Sequence, residues 1–144
     1  MQRSVLNKGG IILVIAISKD SSAEELVQIA MAFHELLGLP VTMRSFNKKG
    51  VRIEKGKLLD DNYTGPVLEQ VLQENCTIRT IPKSGAYSGI PVVASPVRDE
   101  KGYAIAAIGV VDVVGTIDLG VVFGDYPDIL GQVQACLKGR VIVP

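Results

Sequence analysis

Six residues carry most of the chemistry this sequence offers: Arg44, Tyr63, Arg79, Tyr87, Ser88 and Asp112. Asp112 is the sharpest case, a single charge inside "AIAAIGVVDVVG", residues 104–115. An ionised carboxylate costs several kcal/mol to bury without a partner. Asp112 therefore either sits at a wet strand end, accepting backbone N–H groups from a turn, or faces a pocket that uses its charge. Arg44 and Arg79 lie within apolar, strand-like stretches. On a half-buried face an arginine holds a ligand carboxylate through two parallel hydrogen bonds, or forms a cross-strand ion pair, Asp112 being one candidate partner. Tyr63 and Tyr87 sit beside glycines in loops, where an apolar ring with one hydroxyl is suited to closing a pocket or simply to packing.

No catalytic template is complete. Ser88 falls in "GAYSG", whose order is G-x-x-S-G and not the G-x-S-x-G of a nucleophile elbow, so a turn feeding the strand at Ile90 is the better reading. His34, the one histidine, borders the apolar face of a helix far upstream and has no ligand cluster to join. Asp60 and Asp61 are consecutive, so on an extended chain they point to opposite sides and cannot share a proton. Cys76 and Cys136 show neither C-x-x-C spacing nor a nearby histidine, which leaves no zinc site. Two buried free thiols in a reducing cytoplasm are the reading of these cysteines, with a disulfide between them as the alternative. "KGGIIL" precedes a strand where a phosphate-cradling glycine loop would follow one. No metal is expected, and no cofactor is named by any motif.

The totals narrow the partners. Fifteen basic residues balance fifteen acidic ones, so no charge excess draws the chain to nucleic acid or to an anionic membrane. The apolar run in "IILVIAIS", residues 11–18, is far short of the ~20 residues that span a bilayer. Residues 1–18 read as a strand or packed arm, with a cleaved signal as the alternative, ahead of a single domain over 19–144.

The elements that must position these side chains follow from periodicity. Ser22 and Glu25 have capping-box spacing, and Leu26, Ile29, Ala30, Phe33 and Leu37 then form one apolar helical face, closed by Gly38 and Pro40. "VTMRSF" alternates as a half-buried strand, and "VRIEKGKLLDD" supplies its hairpin partner across "NKKG". Pro66 opens a short helix whose stripe is Val67, Leu68, Val71 and Leu72. Three strands come next, "CTIRTIP", "GIPVVASPV" and "GYAIAAIGVVDVV", the last two joined by the turn "RDEKG". Pro127 then stands in the first turn of a C-terminal helix with Ile129, Leu130, Val133 and Leu137 on its inner face and Gly139 as its stop. The expectation is an α+β fold, with an antiparallel sheet of about five strands and helices gathered over one side. Strict alternation from Tyr103 puts Asp112 on one face with Ala104, Ala106, Ile108 and Val110, partly buried beside Arg44 or a backbone N–H.

Two resemblances rest on these phrases. Two short strands, "DDNYTGPVLEQVL", a further strand, and then "SGAYSGIPVVASPVRDEKGYAIAAIGVVD" resemble the PAS and Cache sensory modules, whose sheet is profilin-like and closes with a three-strand meander. That resemblance covers residues 40–114 and implies a pocket on one sheet face, walled by helices, for a small molecule or cofactor. From Ser22 onward the chain also resembles a family of uncharacterised proteins of methanogenic archaea, through "HELLGLPVTMRS", "DDNYTGPVLE" and "GVVDVVGTIDLG". The function expected is small-molecule binding or sensing without catalysis. A homodimeric structural or interaction protein is the alternative, and an enzyme using Asp112 as acid or base is the minor one.

Overall fold

Ser22 starts the first helix as its spacing requires. Its hydroxyl accepts the Glu25 N–H at 3.3 Å, and the Glu25 carboxylate accepts the Ser22 N–H at 3.1 Å. The resulting α1, Ala23–Leu37, ends at Gly38, whose φ of 67° lets its N–H turn back to the His34 carbonyl. The structure, a computed structural model, describes residues 2–7, 10–113, 121 and 124–140.

Ahead of α1, the strands β1 (Gln2–Asn7) and β2 (Gly10–Ile15) pair with each other in a separate antiparallel hairpin. After α1 come β3 (Val41–Ser45), β4 (Gly50–Glu54) and β5 (Lys57–Tyr63), then α2 (Pro66–Glu74). The strands β6 (Ile78–Thr80), β7 (Val92–Arg98) and β8 (Ala104–Val111) follow, and α3 (Pro127–Arg140) is the last described element. The main sheet has six antiparallel strands in the order β5-β4-β3-β8-β7-β6, so the end of the chain's sheet lies beside its beginning. The sixth strand is β5, which turns "VRIEKGKLLDD" into a hairpin of its own through Lys55 and Gly56, both at positive φ.

The helices do not gather over one side. Val41 and Met43 of β3, with Val51 and Ile53 of β4, are buried beneath Leu26 and Ala30 of α1. Ala94, Ala104 and Ala107 are buried on the opposite face, under Leu68, Val71 and Leu72 of α2. Amphipathic stripes alone say that a helix covers a sheet, and leave open which face it covers.

Strict alternation fails in β8 as well. Val97 pairs with Ala106 while its neighbour Arg98 pairs with Ala104, a shift that leaves Ile105 as the extra residue. Ala104 therefore joins the α2 core and Ala106 the α1 core, where a regular strand would put both together. Gly50 is required by close approach, since a Cβ there would overlap the Met43 carbonyl oxygen. His34 is buried and bridges two chain segments, its Nε2 accepting the Gly56 N–H at 2.8 Å and its Nδ1 lying 2.6 Å from the Leu39 carbonyl. An accepting Nε2 places the ring proton on Nδ1, so this histidine is a structural tie.

The C-terminal helix departs from expectation. It passes through Gly139 to Arg140, and Ile129 on its supposed inner face stays 47% exposed. Of its side chains as far as Cys136, only Leu130 and Val133 are half-buried and the rest are exposed. Residues 114–120, where a turn beyond Asp112 would lie, and the side chain of Leu137 are outside the described residues.

Candidate ligand-binding cleft

The start of α2 is held by Arg44. Its Nη1 donates to the Thr64 hydroxyl at 2.8 Å, Thr64 donates on to Glu69 at 2.7 Å, and its Nε donates to the Ser45 carbonyl at 2.9 Å. Gly65 is the N-cap, and Pro66 fills the first turn, where its missing N–H costs nothing. Beneath this end of α2 lies a cleft of about 30 Å3, lined by Thr42, Tyr63, Leu68, Tyr87, Val92 and Gly109, among others. That space holds no more than one or two waters. The walls are apolar apart from the hydroxyls of Thr42, Tyr63 and Tyr87.

Tyr87 arrives from the loop between β6 and β7. The Gly89 N–H donates to the Pro82 carbonyl at 2.8 Å and closes this loop on itself, with Gly85 and Gly89 both at positive φ. Across the mouth of the cleft the Tyr87 hydroxyl donates to Oε2 of Glu54 at 2.8 Å. Arg52 completes the cluster, with Nη2 at 2.8 Å from the same carboxylate oxygen and its guanidinium 5.4 Å from the centre of the Tyr87 ring. Burial pushes the Tyr87 hydroxyl up to about 12, and burial likewise raises Tyr63. The hydrogen bond from Tyr87, helped by Arg52, holds Glu54 below the usual carboxylate range. The same contacts raise Arg52. The cluster is thus a neutral phenol over a fixed ion pair at neutral pH.

The six residues singled out by the sequence go to four places. Tyr63 and Tyr87 line the cleft together. Arg44 braces α2 from the same sheet face. Ser88 is exposed in the closed loop, its N–H donating to the Gly85 carbonyl at 3.2 Å. Asp112 is partly buried, and its partner is Arg79 rather than Arg44, with Arg79 Nη1 2.6 Å from Oδ2. Strand order is the reason. Pairing Arg79 with Val93, and Val93 with Val110, sets the β6 arginine beside the end of β8, whereas the side chain of Arg44 points to α2. Asp112 also donates its own N–H to the Pro91 carbonyl at 2.8 Å.

Arg52 and Glu54 were not singled out by sequence, although a signal exists. In "VRIEKG" the apolar Val51 and Ile53 alternate with opposite charges two apart, so the charges share one face of a strand. Among the described residues no cluster of histidine, cysteine or acidic side chains has the makings of a metal site, and no helix is long and apolar enough to cross a membrane. Cys76 and Cys136 are both free.

The fold and its site define an α+β protein with a six-stranded antiparallel sheet, one helix on each face, and a narrow apolar cleft under the second helix. The chain belongs to the family of uncharacterized proteins conserved in archaea, DUF2111, whose pattern matches residues 33–114. It is 45% identical over 106 residues to an uncharacterized protein of Methanocaldococcus jannaschii, covering 73% of this chain and 80% of that one. The matched span takes in every strand of the main sheet, α2, and all the residues of the Tyr87 cluster.

Proposed function

We propose that this chain is a small-molecule-binding or sensory module that works without catalysis, on a PAS- or Cache-like sheet, with the cleft under α2 as its site. The observation that carries the reading is the Tyr87 latch: its hydroxyl, bonded to Glu54 at 2.8 Å, holds a loop over a largely apolar cleft whose walls also carry the hydroxyls of Thr42 and Tyr63. Apolar walls with a few convergent polar groups are the usual make-up of a ligand pocket. The succession of β3 and β4, extended by the edge strand β5, then a helix and a three-strand meander, with β8 returning beside β3, supports the sensory-module likeness. At about 30 Å3 the cleft has room for little more than water, so a larger ligand fits when the Tyr87 loop moves away. The free thiols favour a reducing, cytoplasmic setting.

A thermal-shift screen of organic acids and amines tests the proposal. A ligand at a hundred times its Kd stabilises by about 2.7 kcal/mol, which such a scan resolves. Failure of every class at millimolar concentration overturns it.

Leu58 and Leu59, 42% and 51% exposed on the edge strand β5, favour a second reading as a self-associating interaction protein. A monomer in light scattering at all workable concentrations ends that reading.

A further inference from the structure

On the face opposite the cleft, α1 covers the β3–β4 half of the sheet and stops short of the other half. A groove of about 280 Å3 remains between them, walled by Phe33 and Leu37 and floored by Val93, Ile108 and Val110. Phe33 and Leu37 are 42% and 46% exposed. Thr77 also lines this groove, so Arg79, two residues along β6, lies on the same face at the groove's end. The Arg79 Nε there is buried, with no hydrogen-bond partner among the described residues. The open half-sheet thus lacks both an apolar cover and an acceptor.

The chain carries a helix of matching kind. In α3 Ile129, Val133 and Cys136 recur at four- and three-residue steps on one stripe, with Leu130 at its border, and Ile129 and Cys136 are exposed. Gln132 flanks that stripe and carries a carbonyl oxygen able to accept from Arg79. Val113 leaves β8 at the groove end marked by Asp112, and thirteen residues separate it from Pro127. Extended, thirteen residues reach about 43 Å, whereas the whole of β8 spans about 26 Å. The tether is therefore long enough for α3 to lie back on its own sheet, and an intramolecular helix outcompetes one from a second copy at ordinary concentrations.

We propose that the open β6–β8 half of the α1 face is the docking surface for α3 of the same chain, which would sit beside α1 with Ile129 and Val133 in the groove.

Two measurements on the full chain test this. In the first, Cys136 reactivity toward a thiol reagent is followed by mass spectrometry, together with cross-linking by a short bis-maleimide in variants carrying Val93→Cys or Ser95→Cys and Cys76→Ser. The proposal expects Cys136 to react at least tenfold more slowly in native than in denatured protein, and the cross-link to form within one chain. Links found only between chains, as when a second copy supplies the helix, overturn it. Equal native and denatured reactivity with no link overturns it as well. The second measurement, on otherwise unmodified protein, is the melting temperature of Ile129→Asp/Val133→Asp. These positions lie on a helix that is unburdened if free, so an unchanged melting temperature refutes docking, whereas a fall of about 4 °C or more supports it.

Discussion

The Tyr87 hydroxyl and the Glu54 carboxylate meet at 2.8 Å although thirty-three positions separate them in the chain, and this bond, with the Arg52 Nε donating to the same hydroxyl at 3.4 Å, ties the β6–β7 loop to strand β4. Because Arg52 already pairs with Glu54, the carboxylate is never left alone when Tyr87 departs. A latch built this way opens without exposing an uncompensated charge.

Replacing Tyr87 by phenylalanine removes the bond and keeps the ring. A hydrogen bond to a charged acceptor contributes about 1.5–3 kcal/mol when buried, and this one is half exposed, so Tyr87→Phe should cost about 1 kcal/mol in urea denaturation. Ligands found by the screen should bind and leave faster in the variant. A variant with wild-type exchange rates would show that the loop does not gate the cleft.

The pH dependence follows from the same cluster. Glu54 ionises at lower pH folded than unfolded, so its contribution is fully present above its ordinary value of 4.5 and is lost as pH falls through the folded value. Glu54→Gln should flatten the acid limb of the stability profile. Tyr87 has the opposite sign: a phenol raised from 10 to about 12 holds its proton longer in the folded state, so stability is present below pH 10 and declines from there toward 12. A spectrophotometric titration in which Tyr87→Phe abolishes the last tyrosine to ionise would agree with this; ionisation near pH 10 would contradict it.

Asp112 is placed outside the cleft, against Arg79, with the two side chains 15% and 17% exposed. Asp112→Asn should lower stability by about 2 kcal/mol, since it leaves the guanidinium partly buried without its counter-charge. Cleft ligands should keep their affinity, the reverse of what a carboxylate facing a pocket would give. Arg79→Met/Asp112→Leu should recover most of the loss. The decisive comparison is melting temperature against affinity for the three chains.

Gly109 floors the cleft between α2 and β3. A Cβ there would stand 3.1 Å from the Thr42 hydroxyl and 3.4 Å from Leu68 Cδ2, tight but open to adjustment by a few tenths of an ångström. Gly109→Ala should weaken ligand binding by about tenfold, the effect of one misplaced methyl in a pocket, while the fold survives. Isothermal titration on a folded variant reads this directly, and an unchanged Kd would move the ligand out of the cleft.

What the sequence by itself determined is local. The capping box of Ser22 and Glu25, the Pro66 start of α2 and the strand alternation of "VTMRSF" all depend on groups within a few residues of one another, and each appears where the spacing puts it. Tyr63 and Tyr87 both stand near glycines in the sequence, but only Tyr87 is in a loop, Tyr63 being the last residue of β5, and that the two line one cleft is a matter of tertiary structure. What the tertiary structure alone decided is long-range: which face each helix covers, which arginine reaches Asp112, and that Arg52 and Glu54 wait under Tyr87. A period of two or of 3.6 records that a side chain is turned inward but carries no label for the partner it meets there. One extra residue at Ile105 sends Ala104 and Ala106 to opposite faces, and that shift is set by pairing with β7, a strand the local pattern of β8 cannot see.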